Sequence, residues 1–376
     1  MKLWSRKVRC CLLQEDLKGL SVDLAPQRVQ KSMESAPSEI TPHTLPPRHR
    51  EIKWNGITRT QQCTALEVYR NKILVGWTTG RINIYNSTDL ACQTELKYCS
   101  LGRATVTCLQ SYTDSEIIAG YDDGNICIWN LEKGAVVRKL ATGEKRGNRE
   151  EYATCMRRKD VKLVVGTNKG RVKIWQFVRA ADLTLLENWS VGPDAIYSLD
   201  FNDNYVILKV KFSCVHIMCF NGQQFRSIPS QGGVCCAVLG ENSVISGGDS
   251  ETSFRISDIS TGDCEVEMNG HEDDEIIAMD IHDDDVIASA GSSGRIVFWS
   301  AKEAVRGRPA EIGSYTCPNF PPSSSAVLIK LGPECVVSRI SRGSSSSRLV
   351  VTDFPSSEMN GAEMLPLKRA IRMSQL

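Results

Sequence analysis

One unit recurs along the chain, and a repeat of this length leaves few folds open. Each copy is an apolar, β-branched run, a short turn holding glycine, and a second such run that ends in an aromatic. Four copies are clear: ILVGWTTGRINIY at 73–85, IIAGYDDGNICIW at 117–129, LVVGTNKGRVKIW at 163–175 and VIASAGSSGRIVFW at 286–299. Three weaker copies fill the gaps at 205–220, 243–258 and 335–353. The units end at Tyr85, Trp129, Trp175, Phe220, Ser257, Trp299 and Thr352, with steps of 44, 46, 45, 37, 42 and 53 residues. A period of about 40–45 residues with four strands per unit is the signature of propeller blades.

The residues say why each unit is a hairpin. Gly80, Gly124, Gly170 and Gly294 sit where a tight turn needs a left-handed backbone. β-branched residues alternate on either side, as in strands with two different faces. An inner strand precedes each hairpin, for example CTALEV at 63–68 and IYSLDF at 196–201, and an outer strand follows, for example CQTEL at 92–96 and AVVRKL at 135–140. Seven such units close a ring with no long free edge. The expectation is an all-β, seven-bladed propeller that folds as one domain over 51–355. Glu51 to Asn55 is the favoured source of the last outer strand, and 365–371 is its rival.

Here the sequence resembles the WD-repeat family. The phrase GYDDGNICIWN at 120–130 is similar to the family's repeat core. NGH at 269–271, followed by Phe298 and Trp299, is similar to its Gly-His to Trp-Asp bracket. The resemblance implies a structural tetrad of His, Ser/Thr, Asp and Trp in each blade. No blade has all four. Blade two keeps Asp123 and Trp129, and blade three keeps Trp175. Blade six keeps His271, Ser289 and Trp299 but has Ser293 where the Asp belongs. Burial and strand pairing supply most of a propeller's stability, so these departures leave the ring intact.

The ends of the chain do not share the period. Residues 1–50 carry nine Lys/Arg against five Asp/Glu. They read as an N-terminal extension: an irregular or short helical segment at 2–18, then a Pro/Ser-rich linker at 25–49 that includes His43 and His49. Residues 356–376 are a C-terminal tail. The apolar run at 10–13 is too short for a secretory signal, and no stretch is long and apolar enough for a membrane helix. The expected compartment is therefore the cytosol or nucleus, with the fifteen cysteines reduced. No CxxC pair indicates a zinc ribbon.

Across 376 residues the net charge is only +1, against the basic excess of a dedicated nucleic-acid binder. No GxSxG, HExxH or phosphate-loop pattern occurs, and the five histidines form no evident constellation with a nucleophile. The acidic run Glu272, Asp273, Asp274 and Glu275 lacks the glycine-punctuated spacing of a calcium loop and reads as a solvated loop. Asp283 to Asp285 reads as a tight turn, and Cys108, Cys127, Cys155 and Cys236 as small core residues. The expectation is a non-catalytic module without metal or cofactor.

Propellers of the family that this chain resembles bind proteins on the ring face built from the hairpin turns and the loops before the inner strands. Mapped onto these residues, that face is basic and aromatic on the early blades, through Trp77, Arg103, Tyr121, Lys145, Arg146, Arg149 and Lys169. It is acidic on the later blades, through Asp249, Glu251, Glu272, Asp273 and Asp274. Arginine and aromatic side chains anchor interfaces, and a basic arc suits an acidic or phosphorylated peptide. The short links between inner strand and hairpin, as in IHDDDV at 281–286, and the segment LWSRKV at 3–8 resemble F-box/WD-repeat proteins. That likeness implies a substrate-recruiting subunit of a ubiquitin ligase, a monomer within a larger complex that includes a cullin adaptor. The alternative is a general scaffold with no ubiquitin role.

Overall fold

The computed structural model describes residues 32–33, 48–52, 61–98, 104–143, 150–179, 182–210, 214–229, 235–239, 241–247, 252–271, 274–282, 285–308, 310–316, 328–332, 335–342 and 346–353. Alternating apolar runs joined by tight turns make antiparallel hairpins, and these assemble into seven four-stranded blades. Blade one is Cys63–Tyr69, Lys72–Trp77, Arg81–Asn86 and Cys92–Lys97. Blade two is Val106–Ser111, Glu116–Tyr121, Asn125–Asn130 and Ala135–Ala141, and blade three is Ala153–Lys159, Lys162–Thr167, Arg171–Arg179 and Asp182–Ser190. Blade four is Ile196–Phe201, Tyr205–Val210, Val215–Cys219 and Gln224–Ile228. Blade five is Cys235–Leu239, Ser243–Gly247, Ser253–Asp258 and Cys264–Asn269, with Ser32–Met33 added in parallel on its outer edge. Blade six is Ile276–His282, Val286–Gly291, Arg295–Ser300 and Glu311–Thr316.

Blade seven takes Leu328–Leu331, Cys335–Arg342 and Ser346–Asp353 from the C-terminal side, and Arg48–Glu51 from the N-terminal side. The ring therefore closes through an N-terminal strand that starts three residues before the one expected from the sequence. His49, assigned to the linker by its Pro/Ser-rich context, lies in that strand, with its Nδ1 3.0 Å from Thr352 Oγ1. Arg50 fixes the closure. Its guanidinium donates to Asp353 Oδ2 at 2.5 Å and Oδ1 at 2.6 Å, and to the carbonyls of Ser87 and Thr88 in blade one. The expected helix at 2–18, the linker at 25–31 and 34–47, and the rival strand at 365–371 lie outside the described residues.

Each blade hides one apolar face against the next. Seven buried clusters fill the seven seams, from Leu74, Ile84 and Ile117 between blades one and two to Val75, Tyr85 and Val337 between blades seven and one. The first strand of every blade neighbours that of the next, and the seventh neighbours the first. The hairpin glycines are required where they stand. Gly80 and Gly124 have φ of 75° and 80°. A Cβ on them would lie 2.5 Å and 2.8 Å from the carbonyl oxygens of Ala104 and Glu151, on the loops entering the following blades.

One helical turn, Ala301–Val305, follows the third strand of blade six and was not evident in the sequence. Its start is held by Asp285, which is buried and accepts from Ser300 Oγ and the Lys302 amide, both at 3.0 Å. The aspartate that reads as part of a polar turn is thus a helix-positioning group.

Candidate functional site

The face expected to bind partners is built from the hairpin turns and the loops before the inner strands. Lys169 stands exposed on the hairpin turn of blade three. Trp77 and Tyr121 do not belong to an open surface. Each ends the second strand of its blade, where the side chain turns into the seam, and they are 1% and 0% exposed. The Trp77 indole donates to Asn83 Oδ1 at 2.8 Å. Tyr121 stacks on Tyr98, with ring centroids 3.9 Å apart, and accepts from the Trp129 indole at 3.1 Å. Tyr98 in turn donates to Asp123 Oδ2 at 2.9 Å, tying the exit of blade one to the hairpin turn of blade two. Burial, aided by the acceptor carboxylate, pushes the Tyr98 phenol up. Arg103, Lys145, Arg146, Arg149, Asp249, Glu251, Glu272 and Asp273 lie outside the described residues.

Blade six has a different lock. His271 Nε2 lies 2.8 Å from Ser289 Oγ, and the Trp299 indole donates to the same oxygen at 2.9 Å. All three side chains are buried. The carboxylate missing from position 293 comes from Asp274, on the loop that enters the blade. It accepts from Ser292 Oγ at 2.6 Å and from the Ser293 amide and hydroxyl at 2.7 and 2.5 Å, and its Oδ2 lies 3.8 Å from His271 Nδ1. Burial alone would raise the Asp274 carboxyl, but the serine hydrogen bonds outweigh it and hold it below the usual range. Asp274, read from sequence as part of a solvated acidic arc, is therefore engaged within its own blade. Trp175 of blade three is buried in the seam with blade two.

A second polar site lines the channel. Glu67, Gln110, Arg157, Asp200, Asp280 and Lys330 occupy one register position on six inner strands, each opposite the third residue of the next strand. They join neighbouring blades. Lys330 Nζ lies 3.0 Å from Asp280 and 3.9 Å from Glu67, and Gln110 donates to Glu67 at 3.1 Å. Lys159 Nζ and Arg157 Nε lie 3.0 and 3.5 Å from Asp200. At blade five the position is Ala237, and the chain of polar contacts ends. A cavity of about 180 Å³ lies on that side of the channel, with Tyr197, Ile245 and Met279 in its wall. Burial raises the Glu67 carboxyl despite Lys330. Burial also works against the Lys330 charge, but Asp280 and Glu67 outweigh it and hold its ammonium above the ordinary range. Nothing in the sequence marks these six positions except their common place in the repeat.

Burial also pushes the Cys63, Cys108 and Cys127 thiols up to about 12, which disfavours the thiolate a reactive cysteine needs. Among the described residues no group of three or more His, Cys, Asp or Glu is placed to hold a metal ion.

The Vps8 beta-propeller family matches residues 58–188, and the WD domain, G-beta repeat family matches 262–300, the segment that carries His271, Ser289 and Trp299. This chain is a WD-repeat β-propeller. It is 24% identical over 207 residues to a Danio rerio protein named p21-activated protein kinase-interacting protein 1-like, covering 52% of each chain. It is 21% identical over 252 residues to a Xenopus laevis protein of the same name, covering 64% of each. The chain thus spans between about half and two thirds of the length of these curated relatives. Among solved structures, the WD40 β-propeller domain of Doa1 superposes with a TM-score of 0.61 at 14% identity, covering 82% of this chain and 97% of that one. A WD40 propeller fits a protein-interaction module, and the fold is typically a non-catalytic scaffold.

Proposed function

We propose that this propeller is a non-catalytic scaffold that recruits protein partners, and that a p21-activated protein kinase is one of them. The observation that carries the reading is the 207-residue similarity to a protein named for interaction with that kinase. The physical frame agrees with it. The seams are filled by apolar side chains and the channel charges pair with one another, so the ring is a rigid platform with its loops and rim left to vary. Mixing the purified full-length chain with purified p21-activated kinase and resolving the mixture by size-exclusion chromatography tests it. A shared peak is expected, and separate peaks at micromolar concentrations would refute the kinase assignment.

The basic arc of Arg103, Lys145, Arg146, Arg149 and Lys169 remains part of this proposal, as a site for an acidic or phosphorylated peptide, without Trp77 and Tyr121, which are buried. Loss of phosphopeptide binding in Lys169→Ala is the expected sign. A second reading, an F-box-type receptor in a ubiquitin ligase, is favoured by the short links between first and second strands, at 202–204 and 283–285 and still shorter at 70–71 and 160–161, and by the likeness of residues 3–8. The matched families and relatives do not carry it. Co-purification with a cullin adaptor separates the two readings.

A further inference from the structure

Six blades break the ladder between third and outer strand at the same register position, where one extra residue bulges from the outer strand. The bulge residues are Gln93, Val137, Leu186, Phe225, Glu265 and Ile312. They are polar in blades one and five, and Ile312 is partly buried against the cluster between blades six and seven. In three successive blades they are apolar and open to solvent: Val137 is 52% exposed, Leu186 46% and Phe225 42%. Val136 and Leu185, beside two of these bulges, are also exposed. Six of the nine large apolar side chains exposed among the described residues lie on the third and outer strands of blades two to four, so the apolar rim is concentrated there.

Two polar contacts join the outer edges of these blades. The Arg138 guanidinium on the outer strand of blade two pairs with Asp182 on that of blade three. The Trp189 indole of blade three donates to the Phe220 carbonyl of blade four at 2.9 Å, over Gly222, where a Cβ would meet the indole at 2.6 Å. A bulge interrupts the regular row of edge donors and acceptors, so an added β-strand would leave its own backbone groups unpaired at the bulge itself; the strand added to blade five, Ser32–Met33, pairs with Glu267 and Met268, past the bulge at Glu265. Recognition is left to side chains, and a helix satisfies its own backbone. The charge beside the belt points the same way. Glu187, next to Leu186, is exposed and has no ion-pair partner among the described residues.

We propose that the rim of blades two to four docks an amphipathic helix of a protein partner. The helix lays an apolar stripe over Val137, Leu186 and Phe225 and places a basic residue toward Glu187. The proposal rests on the reading of the ring as an interaction scaffold and specifies where the scaffold binds.

The test uses the full chain and a fluorescent synthetic peptide of about 18 residues, five helical turns, with leucines along one face, lysines beside them and glutamines elsewhere. Binding is read by anisotropy and helix formation by circular dichroism. The expected result is saturable binding with a gain of helix, weakened at least about tenfold by Leu186→Glu or Val137→Glu, which are exposed positions, and weakened by Glu187→Lys. Gln93→Glu, at the equivalent bulge of blade one, should change nothing. No binding by the unaltered chain, equal binding by the rim variants, or binding without helix formation would overturn the proposal. So would self-association abolished by Leu186→Glu, because the belt would then belong to a second copy. If p21-activated kinase binds the chain and the rim variants alike, the scaffold reading stands and the rim assignment falls.

Discussion

Blades two and six solve one mechanical problem with different chemistry. Each must tether the strand or loop that enters it to the buried tryptophan of its third strand. Blade six uses a relay, from His271 on the entering loop through Ser289 to Trp299, with Asp274 bracing the hairpin turn. Blade two has no histidine in that place. The Trp129 indole donates to Tyr121, Tyr121 stacks on Tyr98 from the end of blade one, and Tyr98 donates to Asp123 on the hairpin turn. The lesson is that a blade needs the tryptophan N–H satisfied and the entering segment anchored, and that an aromatic stack serves as well as an imidazole. A motif can therefore be incomplete in every blade while the ring remains closed.

The contrast is sharpest at the acceptor oxygen. Ser289 Oγ serves both His271 and Trp299, so Ser289→Ala leaves two buried polar groups unpaired and should cost about 2–4 kcal/mol in urea denaturation. Tyr121→Phe leaves only the Trp129 N–H and keeps the stack, and should cost about 1–2 kcal/mol. If Tyr121→Phe proved the more damaging, the two locks would not be equivalent devices.

Of the two locks, only that of blade six should respond to mild acid. Burial lowers the His271 pKa below its ordinary 6.5, so the unfolded chain binds the proton more readily. The stability it supports is complete above about pH 6.5 and is lost as pH falls below that value. The unfolding midpoint should drop between about pH 7.5 and pH 5.5, and His271→Gln should flatten that drop. His49 has its pKa lowered by burial in the same sense, but it is present in both proteins and cancels. The smallest difference concerns the carboxylates. Asp274→Asn, which weakens three serine hydrogen bonds, should lower stability more than Asp123→Asn, which weakens two bonds, with both near or below about 1 kcal/mol. Thermal midpoints measured side by side will rank them.

Much of the ring was legible because its signals are local. A glycine turn between two alternating runs specifies a hairpin, and repetition at a steady step specifies a propeller. What was hidden depends on residues far apart in sequence. Asp274 looks like one acid in a solvated run until Ser292 and Ser293 arrive from the hairpin. Trp77 and Tyr121 look like exposed anchors at a turn, yet the strand's last residue faces the adjoining seam. Asp285 caps a helical turn that begins sixteen residues later. The channel residues, from Glu67 to Lys330, become a set only when the inner strands are placed in one register.

The claim on which the rest stands is that these unequal blades close into one ring through an N-terminal strand. Native-state hydrogen exchange of the full chain tests it most directly at Ile52, whose amide donates to the Leu349 carbonyl at 3.0 Å. The closed ring predicts that this amide exchanges as slowly as those of buried strands in blade seven, such as Val337 and Val351, because all three open only when the ring does. Exchange at Ile52 orders of magnitude faster than at Val351 would mean that the N-terminal strand does not close the ring.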